Sequence, residues 1–266
     1  MSRLTFVGLG LYSEMGIPLE GLEEAKRARH VFAEFYTSYM PGLDRPSLER
    51  MIGKSVEVLT RKEVEEMAET RILAYAKREP CVFLTPGDPG VATTHIDLRL
   101  RAERNGIRTS VIHAASIQSA IAGATGLQSY KFGRTVTVPF RPVSSSESPY
   151  VNICENRLRG LHTLALLDID AENMKYMTIP EGLTELIRVE ERVGRGGLRV
   201  DTLAVGVARL GSPQAIVKAD TVGSLMNIDW GGPPHCLVFP GRLHFMEAEA
   251  LEIVCGARRD LLECHK

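Results

Sequence analysis

The residues best suited to chemistry lie in one rigid turn that follows an apolar segment. Phe83–Gly90 reads FLTPGDPG, so two prolines and two glycines flank a single carboxylate, Asp88. Proline fixes φ and glycine permits backbone angles that other residues avoid, so this turn should hold its carboxylate in one place. A carboxylate held in this way can accept hydrogen bonds from a ligand. Asp88 could instead cap the helix that follows, but a cap does not require Pro-Gly-Asp-Pro, which favours a ligand-binding loop.

A second glycine turn, Gly8–Leu11 (GLGL), follows the first apolar segment. Glycine there lets the backbone turn sharply and approach a ligand closely, although an ordinary tight turn explains it equally well. The spacing departs from the dinucleotide fingerprint GxGxxG, because residue 13 is Ser13. Glu34 could still imitate the acid that binds a ribose. A nicotinamide-dependent oxidoreductase is therefore retained as an alternative.

The histidines and serines after other apolar segments have ordinary explanations when each is taken alone. Ser116, in the segment IHAASI, could cap a helix, contact a ligand or do both. His113 in the same segment is more typical of a strand-end residue than of a catalytic base. His235, beside an apolar run, is more typical of a core position.

Neither a metal site nor a covalent nucleophile is predicted. The five cysteines form no CxxC pair, and the seven histidines show no HExxH spacing. No GxSxG motif is present. The catalytic residue therefore stays unassigned, and a group-transfer reaction fits this composition because positioning of the reactants does most of the work there.

The elements that must position these residues alternate between short apolar runs and amphipathic segments. Helices are predicted over 19–28, after the capping box Thr60–Glu63, and over 91–104. The strands predicted in the first half are Leu4–Val7, Val31–Phe35, Val56–Leu59, Cys81–Leu84 and Thr109–Ile112. Strict alternation of strand and helix predicts crossover connections and a mostly parallel sheet.

The second half is richer in strand signals and predicts a mixed sheet. A polar loop is expected at Ser144–Pro149. The strands predicted are Thr135–Val138, Thr163–Leu167, Thr202–Val207, Ala215–Val217 and Cys236–Phe239, and the helices are 116–124, 180–192, 221–226 and 245–254. The chain is thus predicted to form two α/β domains, residues 1–114 and 115–266.

Composition and the N-terminal sequence argue against several classes of partner. The formal net charge is −1, from 32 basic and 33 acidic residues, which argues against a broad nucleic-acid-binding face. No apolar run approaches the ~20 residues that span a bilayer. The N-terminal residues pass directly into a predicted strand with no signal-peptide stretch. A cytoplasmic protein with no direct contact to nucleic acid or membrane is expected.

Nine segments, taken in order and at compatible spacing, resemble the diphthine synthase family. These are GLGL at 8–11, VFAEFYTS at 31–38, FLTPGDPGVATTH at 83–95, IHAASI at 112–117, YKFG at 130–133, GLHTL…LDI at 160–169, MT at 177–178, GGPPH at 231–235 and PGRLHFMEAE at 240–249. The glycine turn and the TPGDP loop alone are typical of the wider class III, tetrapyrrole methylase-like methyltransferases. EFYTS, ATTH, YKFG and PPH indicate the diphthamide branch.

The resemblance implies a fold, a reaction and a set of contacts. It implies two α/β domains with S-adenosylmethionine in the cleft between them, and a homodimer. The implied reaction methylates the amino group of the 3-amino-3-carboxypropyl-histidine of translation elongation factor 2, with S-adenosylhomocysteine as product. The implied cofactor contacts are Leu11, Asp88, Val91, Ser116, Ile117, Leu167, Leu210 and His235.

The chain departs from the family pattern at three places. These are Gly90, the pair Gly231–Gly232, and the serine-rich segment Ser144–Ser148, where contacts to a protein substrate are in question. A tetrapyrrole (uroporphyrinogen or precorrin) methylase is the alternative enzyme of the same fold. A nucleotide-sensing module without turnover is the non-enzymatic alternative.

Overall fold

The computed structural model describes residues 2–140, 147–171 and 173–263, which form two compact units. Unit 1 contains the described residues up to Ile117 together with Ala171 and Asn173. Unit 2 contains those in Gln118–Asp170 and from Met174 onward. The domain limits at residues 114 and 115 stay a prediction.

Unit 1 contains a five-stranded parallel sheet in the order β3-β2-β4-β1-β5. Its strands are β1 (Arg3–Gly8), β2 (His30–Ala33), β3 (Glu57–Val58), β4 (Pro80–Thr85) and β5 (Arg108–Ile112). Successive side chains enter opposite layers of core: Phe6 and Phe83 belong to one cluster, and Val7 and Leu84 to the other. Apolar residues buried on both faces are typical of a parallel sheet covered by helices, and the predicted parallel sheet is confirmed.

The helices of unit 1 supply both covering layers. They are α1 (Leu19–Arg27), α2 (Arg45–Ile52), α3 (Arg61–Glu65), α4 (Ala74–Ala76) and α5 (His95–Arg104), with a 3-10 turn at Glu14–Gly16 and a π-helical turn at Glu69–Leu73. Apolar side chains of α1 and α2 pack on one face of the sheet, and those of α3, α4 and α5 pack on the other. The predicted capping box at Thr60 is present.

Unit 2 contains a five-stranded mixed sheet in the order β11-β10-β12-β7-β6. Its strands are β6 (Val136–Val138), β7 (Thr163–Leu167), β10 (Leu203–Ala208), β11 (Ile216–Thr221) and β12 (His235–Phe239), and β8 (Ile169–Asp170) and β9 (Lys175–Tyr176) form a separate ribbon. β6 and β7 are parallel, whereas the other neighbours of this sheet are antiparallel. The mixed sheet is confirmed.

The helices from residue 117 onward complete the chain. They are α6 (Ile117–Thr125), α7 (Ser148–Leu158), α8 (Ile179–Val193), α9 (Val222–Leu225), α10 (Phe245–Ile253) and α11 (Arg259–Glu263), with a 3-10 turn at Ser129–Lys131. In the part of the chain that the structure describes, no helix has the length and apolarity to cross a membrane.

Two local predictions are corrected, and some elements were not predicted. The helix predicted from Val91 begins at His95, with Thr94 as its N-cap, because residues 86–93 form the rigid turn. The loop predicted through Pro149 ends earlier, because α7 begins at Ser148 with Pro149 in its first turn, where proline needs no hydrogen-bond acceptor. Ser144–Ser146 of that loop lie outside the described residues. The helices α2, α7 and α11 and the β8–β9 ribbon were not predicted.

Candidate functional site

The two glycine turns of unit 1 form one backbone unit at the carboxyl ends of β1 and β4. The Leu9 N–H donates to the Thr85 carbonyl at 2.8 Å. Gly10 and Gly87, both with positive φ, then exchange two hydrogen bonds of 3.2 and 2.8 Å. A Cβ on Gly8 would lie 2.4 Å from the Gly87 carbonyl oxygen, so the close approach requires glycine. The GLGL and TPGDP segments therefore support each other.

The Asp88 carboxylate fixes the second turn against the segment that follows β5. Its Oδ1 accepts the Gly90 N–H at 2.8 Å. Its Oδ2 accepts His113 Nδ1–H at 2.8 Å and the Ala114 N–H at 3.2 Å. The side chain is only 8% exposed. The interpretation of Asp88 as the cap of the next helix is wrong, because α5 begins seven residues later behind Thr94.

The Asp88 carboxylate has one hydrogen-bond acceptor position that the turn does not use. Each carboxylate oxygen can accept about two hydrogen bonds. The Oδ2 atom already accepts two, and Oδ1 accepts one. Asp88 can therefore receive one further donor, through Oδ1, without releasing a partner inside the turn.

The five implied cofactor contacts in unit 1 lie at one edge of its sheet. Leu11 follows β1, Asp88 and Val91 follow β4, and Ser116 and Ile117 follow β5. Because β4, β1 and β5 are neighbours and parallel, their carboxyl ends share an edge, where open α/β sheets bind ligands. Ser116 is buried, whereas Leu11, Val91 and Ile117 are partly exposed.

The three implied contacts in unit 2 also share one sheet edge. Leu167 ends β7, Leu210 follows β10, and His235 begins β12. β12 runs antiparallel between these two strands, with His235 opposite Ala208 and Cys236 opposite Leu166. That the eight residues contact a cofactor stays a prediction.

The His235 imidazole is buried and uses both ring nitrogens. Its Nδ1 accepts the Ile179 N–H at 3.4 Å, and its Nε2–H donates to the Gly232 carbonyl at 3.0 Å. Burial lowers the pKa of His235. The ring is therefore a neutral Nε2–H tautomer at pH 7 and offers a flat face rather than a charge.

Arg209 holds the segment that carries His235. Its guanidinium donates to the carbonyls of Trp230, Gly232 and Gln214. Its backbone N–H donates to the Pro234 carbonyl at 2.8 Å, and its φ of 50° is unusual for a residue with a side chain. One residue thus joins the turn that contains Leu210 to the segment before His235.

Glu34 is unavailable to a ribose. The carboxylate is fully buried, and its Oε1 accepts from Thr37 Oγ1–H and Thr85 Oγ1–H, both at 2.6 Å. The His95 Nε2–H is shared between this oxygen at 3.0 Å and Thr85 Oγ1 at 2.9 Å. The Glu34 Oε2 accepts the N–H groups of Tyr36 and Thr37. Burial alone would raise the pKa of Glu34, but these hydrogen bonds outweigh it and lower the pKa. The feature that favoured an oxidoreductase is therefore structural.

Sequence reasoning missed the pairs Asp88–His113 and Glu34–His95. Each joins residues that follow different elements, and the lateral order of parallel strands is not encoded in any local pattern. The available signal was only that Glu34 lies near the end of a predicted parallel strand and that Asp88 and His113 follow two others, whose carboxyl ends must share an edge.

A parallel sheet with glycine turns at its carboxyl edge, followed by a mixed sheet, defines the class of protein. The sequence model of the tetrapyrrole (corrin/porphyrin) methylases matches residues 3–225, so the chain has a methylase fold of this class. It is 48% identical to the diphthine synthase of Methanococcoides burtonii, over 98% of each chain, and 47% identical to that of Methanocella arvoryzae, over 96% of this chain and 99% of the relative.

A solved structure of a diphthine synthase superposes with a TM-score of 0.89 at 39% identity, covering 98% of this chain and 99% of that one. This chain is a methyltransferase that belongs to the diphthine synthase family. The resemblance and the fold class inferred from the sequence are confirmed.

Proposed function

We propose that this chain methylates the amino group of the 3-amino-3-carboxypropyl-histidine of translation elongation factor 2, using S-adenosylmethionine and releasing S-adenosylhomocysteine. The observation that carries the proposal is the identity of 47–48% to diphthine synthases over nearly the whole of both chains. A tetrapyrrole methylase remains the alternative, because the matching family model carries that description.

The residues at the two sheet edges suit this cofactor. Gly87 allows close approach of a ligand, because a Cβ placed there would meet only Ser116 at 3.9 Å, whereas Gly8 and Gly10 are needed for the close packing of the turns themselves. Asp88 has one acceptor position left for an amine or hydroxyl, and the partly exposed Leu11 and Ile117 offer apolar surface to an adenine ring. S-adenosylmethionine supplies a methyl group already activated by a sulfonium leaving group.

The chain's own residues would then orient the cofactor and the substrate amine. The strand-end turns are fixed by backbone hydrogen bonds and by Asp88, so they present their groups without rearrangement. His235, neutral and held on both nitrogens, adds a flat surface with no charge to repel a sulfonium. Holding two reactants in near-attack geometry can supply several kcal/mol of a barrier.

Calorimetry tests the cofactor independently of the protein substrate. The protein should bind S-adenosylmethionine and S-adenosylhomocysteine, and should not bind NAD or NADP because Glu34 is buried. Preferential binding of NAD would make the oxidoreductase the better reading.

Mass spectrometry tests the substrate. Elongation factor 2 that carries the aminocarboxypropyl group should gain mass in steps of one methyl when incubated with the protein and S-adenosylmethionine, and the unmodified factor should stay unchanged. Equal labelling of both forms, or methylation of a uroporphyrinogen instead, would reject the proposal. A homodimer and a cytoplasmic location, both expected from the sequence and its resemblance to the family, complete the proposal.

A further inference from the structure

His113 differs from the other histidines near the two implied binding edges by its exposure. Its side chain is 74% exposed, although its Nδ1 hydrogen bonds to the buried Asp88 at 2.8 Å. His95 and His235 are 2% and 8% exposed. A substrate can therefore reach the His113 imidazole, and the hydrogen bond to Asp88 fixes the orientation of the ring.

The Asp88 carboxylate fixes the tautomer of His113. A carboxylate accepts hydrogen bonds, so the shared proton lies on Nδ1 of the imidazole. The neutral ring then carries its lone pair on Nε2, which points away from the turn. A carboxylate that orients a histidine in this way is the usual support of a general base.

Three other titratable groups at these edges, Glu34, His95 and His235, are already hydrogen bonded inside their own units. Glu34 accepts five hydrogen bonds inside unit 1, and His95 Nε2 lies within hydrogen-bond distance of Glu34 and Thr85. His235 uses both nitrogens in unit 2. Asp88 is the charged side chain that contacts His113, and among the residues that the structure describes no second ion pair of His113 occurs.

We propose that His113 accepts the proton that the substrate amine must lose before each methyl transfer, with Asp88 as its positioning residue. This inference rests on the proposed function, since an ammonium group has no lone pair with which to attack a methyl carbon. The proposal assigns a catalytic role to this exposed imidazole, whereas a histidine at the end of a strand needs no such role to be accommodated.

The step balances without a further reactant. The N–H bond of the substrate ammonium breaks, its electron pair stays on nitrogen, and the proton bonds to His113 Nε2. The freed pair is the nucleophile for the methyl group. The imidazolium, which stays paired with the Asp88 carboxylate, then passes its proton to water, because the ring is exposed.

His113→Asn is the decisive variant, because the asparagine NH2 can still donate to Asp88 while the Nε2 acceptor is removed. Affinity for S-adenosylhomocysteine and the melting temperature should stay close to the parent. The single-turnover rate on elongation factor 2 carrying the aminocarboxypropyl group should fall about 100-fold at neutral pH, as for loss of a general base. The loss should shrink as the pH rises, because solution then deprotonates the amine.

His30→Gln is the matched control. His30 also pairs with a carboxylate, Glu79, at 2.8 Å, but it begins β2 and therefore lies at the opposite edge of the same sheet. Its loss should leave the rate unchanged. A readout independent of turnover is the 15N NMR signal of His113 in the free protein, which should report an Nδ1–H tautomer that Asp88→Asn disturbs.

The outcomes separate this inference from the proposed function. An active parent whose His113→Asn variant transfers methyl groups equally fast would overturn the role of His113 alone. A variant that loses only cofactor affinity and recovers its rate at saturating cofactor would make His113 a binding residue and overturn it too. An Nε2–H tautomer in the parent would remove its geometric basis, and a parent inactive on this substrate would overturn both proposals.

Discussion

At the level of single residues, the Asp88 carboxylate stabilises the turn after β4 and keeps one acceptor position for a ligand. Three donors inside unit 1 hold it, from Gly90, His113 and Ala114, and these join the segments after β4 and β5. The remaining acceptor position on Oδ1 is the one a cofactor would use. The predicted contact with the cofactor would therefore be coupled to the structural role of Asp88.

Asp88→Asn should weaken the binding of S-adenosylhomocysteine by about 1–3 kcal/mol, the range for losing a charged partner of a hydrogen bond. It should also lower the melting temperature, because the asparagine NH2 cannot accept from the donors that now face the carboxylate. Calorimetry and a thermal scan on the same samples measure both effects. Had Asp88 been a helix cap, asparagine would have preserved stability; an Asn variant that binds like the parent would refute the predicted contact.

At Arg209 the planar shape of the guanidinium matters more than its charge. Three backbone carbonyls, of Trp230, Gly232 and Gln214, converge on one guanidinium. Lysine would keep the charge, but its single ammonium group cannot reproduce a planar fork of donors. Replacing Arg209 by lysine is therefore expected to disturb the structure although the charge is kept.

Arg209→Lys should lower the free energy of unfolding of unit 2 by about 1 kcal/mol, because the partly buried Trp230 carbonyl loses its donor, whereas the exposed carbonyls of Gly232 and Gln214 can bind water instead. Urea unfolding followed by fluorescence measures it directly, since Trp230 is the one tryptophan of the chain and its carbonyl accepts from Arg209. Arg188→Lys is the control. Arg188 is an exposed arginine on α8 paired with Glu185, where about 0.5 kcal/mol or less is expected. Equal losses in the two variants would contradict the role of Arg209.

At the scale of elements, Glu247 joins three segments of unit 2. The carboxylate is fully buried at the start of α10 and accepts from His162 Nε2–H, from the Gln128 and His244 N–H groups, and from Lys131. Burial would raise the pKa of Glu247, but these donors outweigh it and lower the pKa to about 2. The segments YKFG, GLHTL and HFMEAE thus meet at one buried charge.

Glu247 should make unit 2 sensitive to acid. Its folded pKa lies below the unfolded value, so its stabilisation is full above about pH 4.5 and is lost as the pH falls towards 2. A shift of this size corresponds to about 3 kcal/mol. Glu247→Gln should therefore be less stable at pH 7 and should lose less on acidification, as measured by urea unfolding at pH 7, 5 and 3. Glu249→Gln, an exposed neighbour on α10, should behave like the parent; a Glu247 variant that does the same would contradict the prediction.

Sequence periodicity predicted the elements whose residues repeat regularly, and it failed where tertiary context decides. β1, β4 and β5 are short, apolar and bounded by turn residues, so they were predicted closely. The apolar residues of α2 (Leu48, Met51 and Ile52) have helical spacing but cover little more than one turn, and α7 begins beside a serine-rich run, so no helix was predicted in either segment. The Asp88 turn was recognised from composition alone, whereas its partner His113 was set by the order of strands in the sheet, which no local pattern contains.

At the scale of the whole molecule, the residues predicted to bind the cofactor belong to two differently built units. Unit 1 supplies parallel strand ends, a buried carboxylate and an exposed histidine. Unit 2 supplies a neutral, firmly held imidazole and a guanidinium that stabilises backbone rather than facing a ligand. A nearly neutral total charge suits a protein whose substrate is another protein rather than nucleic acid.

The last prediction concerns assembly, for which the sequence resemblance implies a homodimer. Several apolar side chains of α10 are exposed in the single chain, including Phe245 at 65% and Ile253 at 73%. Exposed apolar surface of this kind is usually covered in stable assemblies, and a specific dimer should bury more than about 1,000 Å². Light scattering and sedimentation across a hundredfold range of concentration should give twice the 29.3 kDa of one chain, falling towards a single chain only on extreme dilution. A mass of one chain at every concentration would show that the exposed side chains of α10 are not part of a self-association surface.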